Sequence, residues 1–229
     1  MPIPFTIAQF LDVFRQYNEA VWPAQLVLVL VGVGAVVLAA PARPAAGRAA
    51  AGLLGALWLW TGGVYHLTFF RGLTTAAVLF GALCLAQGAL LLWWGAARGA
   101  LAFRPRADAS GVVGALLALY ALSVYPAVGF ALGHRYPAAP TFGVPCPVTI
   151  LTFALLAWSA RPVRWSLLAI PLAWAAVGTS AALRLGMYED VGLTAAAILG
   201  TLAARRAGGR RAEARVAHAG HVTPAGGHP

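Results

Sequence analysis

Seven long apolar runs, separated by short polar segments, decide what this chain can fold into. They lie at about 22–40, 49–70, 73–96, 111–132, 143–160, 165–183 and 188–204. A helix needs roughly 20 apolar residues to cross the hydrocarbon of a bilayer, and most of these runs supply them. Backbone amides and carbonyls in lipid have no water to bond. A crossing segment must therefore satisfy them internally, as a helix does. The expected fold is all-α: a polytopic transmembrane bundle of about seven spans. Composition excludes the soluble alternative, because 61% of the residues are hydrophobic and only 10% are charged. A soluble domain has about 45–50% and 25%. The fifth and seventh runs are short for a span. The fifth opens with Pro145 and Pro147, so its outer end is expected to be either fully spanning or unwound and partly re-entrant.

Arginine sets the orientation. All sixteen basic residues are arginine, and the net charge is +10. With the N-terminus outside, twelve face the cytoplasm: Arg43, Arg48, Arg98, Arg104, Arg106, Arg161, Arg164, Arg205, Arg206, Arg210, Arg211 and Arg215. Four lie outside: Arg15, Arg71, Arg135 and Arg184. The positive-inside rule thus predicts an outer N-terminus and a cytoplasmic C-terminus. Because the charges sit in small clusters between apolar runs, they read as topology signals and not as a nucleic-acid surface. With no lysine, a Schiff-base chromophore is excluded. The Ala, Gly, Val and Arg bias points to a bacterial source, hence a multi-pass protein of the bacterial inner membrane.

The ends differ from the middle. Residues 1–20 are expected to hold an amphipathic interfacial helix on the outer face. Thr6 and Gln9 have capping-box spacing, and Phe5, Ile7, Phe10, Leu11 and Phe14 share one face. Residues 21–205 form the seven-span domain. Residues 206–229 read as a disordered cytoplasmic tail rich in Arg, Gly and His, whose His218, His221 and His228 are spaced too irregularly to make a metal motif. Small residues, among them Gly55 and Gly62, allow close helix approach.

Most remaining polar residues share one depth, the outer helix ends, and this is where chemistry is expected. Glu19 precedes the first span, His66 ends the second, His134 and Arg135 end the fourth, Cys146 opens the fifth, and Glu189 and Asp190 lead into the seventh. Ionisable groups near lipid are costly and need partners or a function. Ordinary end-of-helix pairing accounts for some of them: Arg184 with Glu189 or Asp190, and Arg71 or Arg135 with Glu19. As a set they predict an outward-facing polar site that binds or transports a small solute or ion. Glu19 and the histidines would act there as ligand or proton acceptors and Cys146 as a soft ligand or thiol, with Arg135, Glu189 and Asp190 as supporting charges. A second reading takes His66, His134 and Cys146 as metal ligands, or the two histidines as axial haem ligands. A third is a membrane enzyme with Glu19, Glu189 or Asp190 as general base beside a histidine. No strong motif implies a cofactor, and no serine nucleophile elbow is present.

The residues that carry these features also carry a resemblance. They are Asn18-Glu19-Ala20-Val21-Trp22-Pro23, Val64-Tyr65-His66, Tyr125-Pro126, Gly133-His134 with Tyr136-Pro137, Glu189-Asp190 with Gly192-Leu193, and above all Pro140-Thr141-Phe142-Gly143-Val144-Pro145-Cys146-Pro147. Over most of residues 5–204 the chain resembles a family of bacterial multi-span membrane proteins of unknown function. The resemblance implies a polytopic inner-membrane protein and brings no activity, cofactor or residue role with it.

Overall fold

The computed structural model describes residues 5–220, with side chains described through Arg206. Nine α-helices, some extended by tighter or wider turns, account for the regular structure of these residues, and no strand is found among them. Helix α1, Ile7–Val21, opens on the expected capping box: the Thr6 side chain accepts from the Gln9 amide and the Gln9 side chain accepts from the Thr6 amide. Helix α2, Ala24–Ala39, leaves it at 92°. That is the angle between a helix lying on a surface and one that crosses it.

Helix α3, Pro44–Trp60, starts with proline at its first turn, where no amide hydrogen is needed, and runs on as a π-helical stretch, Thr61–Phe69. Helix α4, Ala76–Leu90, continues in the same way through Leu91–Ala97. Helix α5, Ala109–Leu119, is capped by the Asp108 carboxylate and passes through a third π-helical stretch, Tyr120–Val124, into α6, Tyr125–Ala131. Helix α7 is Pro145–Ala157 and α8 is Trp165–Leu185. A 3-10 turn, Tyr188–Asp190, leads into α9, Val191–Gly220. The expected disordered tail therefore begins as helical backbone, and its residues 221–229 lie outside the described residues.

Four helical stretches are long and apolar enough to cross a membrane: Pro44–Gly72, Ala76–Ala97, Ala109–Ala131 and Trp165–Leu185. The bent pair α1 with α2 makes a fifth if it counts as one span. Their outward faces carry exposed Leu30, Val37, Leu79, Leu116 and Leu183. Such faces have nothing to repel lipid and much to repel water.

Helix α7 explains the short fifth run. It has 13 residues, and all but Cys146 are buried. At 1.5 Å per residue it is about 20 Å long. It is wrapped by α2, α3, α5, α8 and α9. A helix apolar all round belongs inside the protein, where its length need not match the bilayer. Its Thr149 and Thr152 hydroxyls return to carbonyls four residues back, and Thr152 also accepts the buried Trp58 indole at 2.8 Å.

Two glycine pairs let α3 and α4 touch. A Cβ on Gly62 would stand 2.8 Å from the Gly81 carbonyl oxygen, and one on Gly88 would stand 2.9 Å from the Gly55 carbonyl oxygen. Small residues at such a seam bring backbones into van der Waals contact without a hydrophobic drive. Gly62→Ala is expected to force the helices apart at a cost of about 1–3 kcal/mol. The neighbouring Gly63 has open space around its Cβ position. Thermal unfolding in detergent should show Gly62→Ala losing about 2–10 °C while Gly63→Ala loses none.

The arginines collect at one end. Arg48 donates to the Ala96 and Ala97 carbonyls, and Arg98, Arg164 and Arg205 stack over Trp93, Trp94 and Trp165. Helix α1 and the segment 133–147 sit at the other end, against the π-helical part of α3.

Candidate functional site

The middle of the segment 133–147 is fastened chiefly by one side chain. Asn18, fully buried on α1, donates from Nδ2 to the carbonyls of Pro137 at 2.6 Å and Ala139 at 2.8 Å. Its Oδ1 accepts from the Thr141 hydroxyl at 2.7 Å, and its own carbonyl accepts from Gln25 at 2.8 Å. Farther on, Gly143 has φ +106°, and a Cβ there would stand 2.5 Å from Leu28. Only glycine meets both conditions at low cost. Its carbonyl accepts from Thr61 at 3.0 Å. The chain is thereby delivered into Pro145, and Cys146 is placed at the first turn of α7.

Beside this entry lies a cavity of about 510 Å³. Phe10 and Phe14 of α1, Tyr65 and Phe70 at the end of α3, Phe80 of α4 and Trp174 of α8 give it aromatic walls. The rings hold one another: Tyr65 stacks on Phe14 and Phe70 at 5.9 and 5.8 Å, and Phe80 meets Trp174 edge-on at 5.3 Å. His66 stands among them, 5.1 Å from Trp174, 5.6 Å from Phe70 and 5.9 Å from Phe80. It is 0% exposed, and among the described residues neither ring nitrogen has a hydrogen-bond partner. The Trp174 indole nitrogen is directed at the Cys146 sulfur, a weak acceptor. A buried polar atom left unpaired costs about 1–3 kcal/mol. Two such nitrogens on one ring of the cavity wall mark a place prepared for something polar.

The remaining polar lining comes from Cys146 and Asp190, from the hydroxyls of Thr74, Tyr125 and Ser180, and from the exposed Arg184. The Asp190 carboxylate accepts from the Tyr125 hydroxyl at 2.7 Å and from the Cys146 thiol. Burial pushes this carboxyl up to about 7, against those two hydrogen bonds and with the help of the Glu189 charge next door.

Behind the 3-10 turn is a second polar pair. His134 Nδ1 lies 2.8 Å from Glu189 Oε1, with the Glu189 side chain wholly enclosed. The Tyr120 hydroxyl donates to the Glu189 carbonyl at 2.7 Å. The absent side chain of Gly129 gives the carboxylate room, since a Cβ there would be 3.3 Å from Oε1. His134 also lines a smaller cavity of about 310 Å³, and Tyr125 forms part of the wall of both.

Of the residues singled out by depth, His66, Cys146 and Asp190 thus line one cavity, and His134 and Glu189 bond to each other beside it. Glu19 and Arg135 stand elsewhere. Glu19 is exposed on the outer face of α1 and pairs with Arg15 at 3.5 Å, in place of the expected Arg71 or Arg135. The Arg135 guanidinium lies 3.4 Å above the Phe130 ring. His66, His134 and Cys146 do not form a ligand shell, and no group of three His, Cys, Asp or Glu among the described residues could hold a metal ion. Trp174 escaped the sequence reading, and Asn18 and Tyr125 entered it only among the residues that carry the family resemblance, with no part in the site. The signal for Trp174 is the step from a bulky donor to Gly178 one turn on, which opens space beside Cys146.

A family model described as a family of unknown function, DUF6064, matches residues 7–214. The chain belongs to that family. The match spans both cavities, so the site lies in the part of the chain that defines DUF6064. No curated protein and no solved structure matches it.

Proposed function

We propose that this is an integral protein of the bacterial inner membrane, N-terminus outside, that binds a small solute in the aromatic cavity and carries or senses it. The observation behind this reading is His66: a wholly enclosed imidazole with two unpaired nitrogens on the wall of a cavity of about 510 Å³. A cavity of that size suits a small organic molecule, and apolar walls with a few convergent polar groups are the usual make-up of such sites. Twelve of sixteen arginines lie in segments assigned to the cytoplasm, which turns the cavity outward. Helix α1 contributes Phe10 and Phe14 to the cavity wall.

Cys146 supplies the test, because the other cysteine, Cys84, is 1% exposed in the core. Small membrane-impermeant methanethiosulfonates, one cationic and one anionic, are added to sealed right-side-out vesicles. The expected result is a single label from at least one of them, lost in Cys146→Ser and slowed about tenfold or more in Ala181→Trp, which fills the cavity wall. Labelling only from the cytoplasmic face, or none from either face, overturns the reading.

A further inference from the structure

We propose that the cavity selects an organic ammonium ion, an amine with apolar or aromatic substituents whose charge pairs with the Asp190 carboxylate. This rests on the solute-binding reading above and narrows it to a ligand class.

Three features converge on a cation. The first is Asp190, 6% exposed and part of the cavity lining, whose donors from Tyr125 and Cys146 are both neutral groups. Among the described residues no salt bridge involves it. An ionised carboxylate buried without a countercharge is costly, and a cation in the cavity removes that cost. The second is the wall. Tyr65, Phe70, Phe80 and Trp174 present ring faces and edges within one small volume, and an aromatic cage attracts ammonium groups through the ring quadrupoles. The third is His66. A neutral imidazole has one lone pair that can face the ammonium group and one N–H left for a polar substituent, and among the described residues neither nitrogen is engaged.

An anion fits less well. It would face Asp190, with Glu189 one residue away, and among the described residues of the lining the one cationic side chain is the exposed Arg184, which has a partner of its own. A neutral apolar guest would offer neither a charge to Asp190 nor a polar group to His66.

The groups around Asp190 also give a proton linkage. Tyr125 faces it from α6, Cys146 from α7 and Glu189 from its own turn. His66 and Arg184 face the same cavity from α3 and α8, and Tyr120 lies near from the stretch before α6. With the cavity empty, burial favours the protonated carboxyl, whose affinity for a proton is pushed up to about 7. A bound cation takes the proton's place. Binding of a permanently charged ammonium should therefore release one proton. It should weaken about tenfold for each unit of pH below that titration and level off above it.

The experiment is equilibrium binding of radiolabelled phenyltrimethylammonium to the full-length protein in lipid nanodiscs, with tert-butylbenzene and benzenesulfonate as neutral and anionic competitors of similar shape. Saturable binding that neither competitor displaces, that tightens from pH 5 to 8, and that falls about 100-fold in Asp190→Asn is the expected result. His66→Phe is measured alongside, with thermal unfolding of each variant, and should weaken binding without abolishing it. If the neutral or anionic compound binds as well as the cation, or if the affinity ignores pH between 5 and 8, the ammonium assignment is overturned while the cavity reading stands. If Cys146 is unreachable from outside in the labelling experiment, the underlying reading fails first.

Discussion

Asn18→Leu is expected to cost about 2–4 kcal/mol and to lower the thermal midpoint in detergent by roughly 5–15 °C. The substitution keeps the volume of the side chain and removes its bonds. The carbonyls of Pro137 and Ala139 and the hydroxyl of Thr141 all lose a partner at once, beneath a side chain that is 0% exposed. Loss of a partner from a buried polar group costs more than the bond gained in forming it, because water cannot return. Thr141→Ala removes one bond of this set and should cost about 1 kcal/mol. Asn18→Asp keeps the acceptor, loses both donor bonds and adds a buried charge, so it should be at least as damaging as leucine. Limited proteolysis offers an independent readout, with cleavage within 133–144 accelerated in Asn18→Leu and unchanged in an exposed control such as Glu19→Gln. A normal midpoint for Asn18→Leu would mean that the segment is held by something other than Asn18.

That Asn18 could be quoted from the sequence but given no anchoring role shows where sequence reading stops. Period and capping chemistry are local, so α1 was legible from Thr6, Gln9 and the spacing of its phenylalanines. The depth of a residue along a span is also local, which is why His66, Cys146 and Asp190 could be placed at one level. Direction around the helix axis is not local. Glu19 has the right depth and points away from the bundle, because α1 lies at 92° to α2 and buries its other face. The π-helical stretches add to the difficulty. Each inserts an extra residue in a turn, and one residue rotates everything beyond it by about 100°. Tyr65 and His66 lie inside such a stretch, and Tyr125 directly follows another. A regular helical wheel cannot assign these side chains to the cavity.

The fifth run carries a related lesson. Unbroken apolar sequence reports that a helix avoids water, and it does not report whether lipid or protein surrounds it. For α7 the answer is protein, so a run too short to span comfortably becomes the central rod of the bundle. Its position matters for the site. Cys146 is held at the first turn of the most enclosed helix, and the turn bearing Asp190 lies against it. The two polar groups of the cavity are therefore fixed by the core, while α1 supplies only part of the aromatic wall.

The largest electrostatic effect is expected at the pair behind that turn. His134→Ala leaves the enclosed Glu189 carboxylate without the one side-chain partner it has among the described residues, and breaking a buried pair in this way costs about 3–5 kcal/mol. Glu189→Gln keeps the shape and a polar contact for the ring, so it should cost about 1 kcal/mol. The double substitution His134→Ala with Glu189→Gln should then be more stable than His134→Ala alone, since the group left behind no longer carries a charge. A thermodynamic cycle built from these three variants measures the coupling directly. Because Glu189 adjoins Asp190, the same loss should reach the cavity. His134→Ala leaves a second uncompensated negative charge beside Asp190, which must raise the proton affinity of its carboxyl further. Titration of Asp190, followed through the pH dependence of phenyltrimethylammonium binding, should shift upward in His134→Ala and fall to the original position or below it in the double variant, which removes the Glu189 charge. Additive stabilities with an unmoved titration would show that the pair and the cavity are independent.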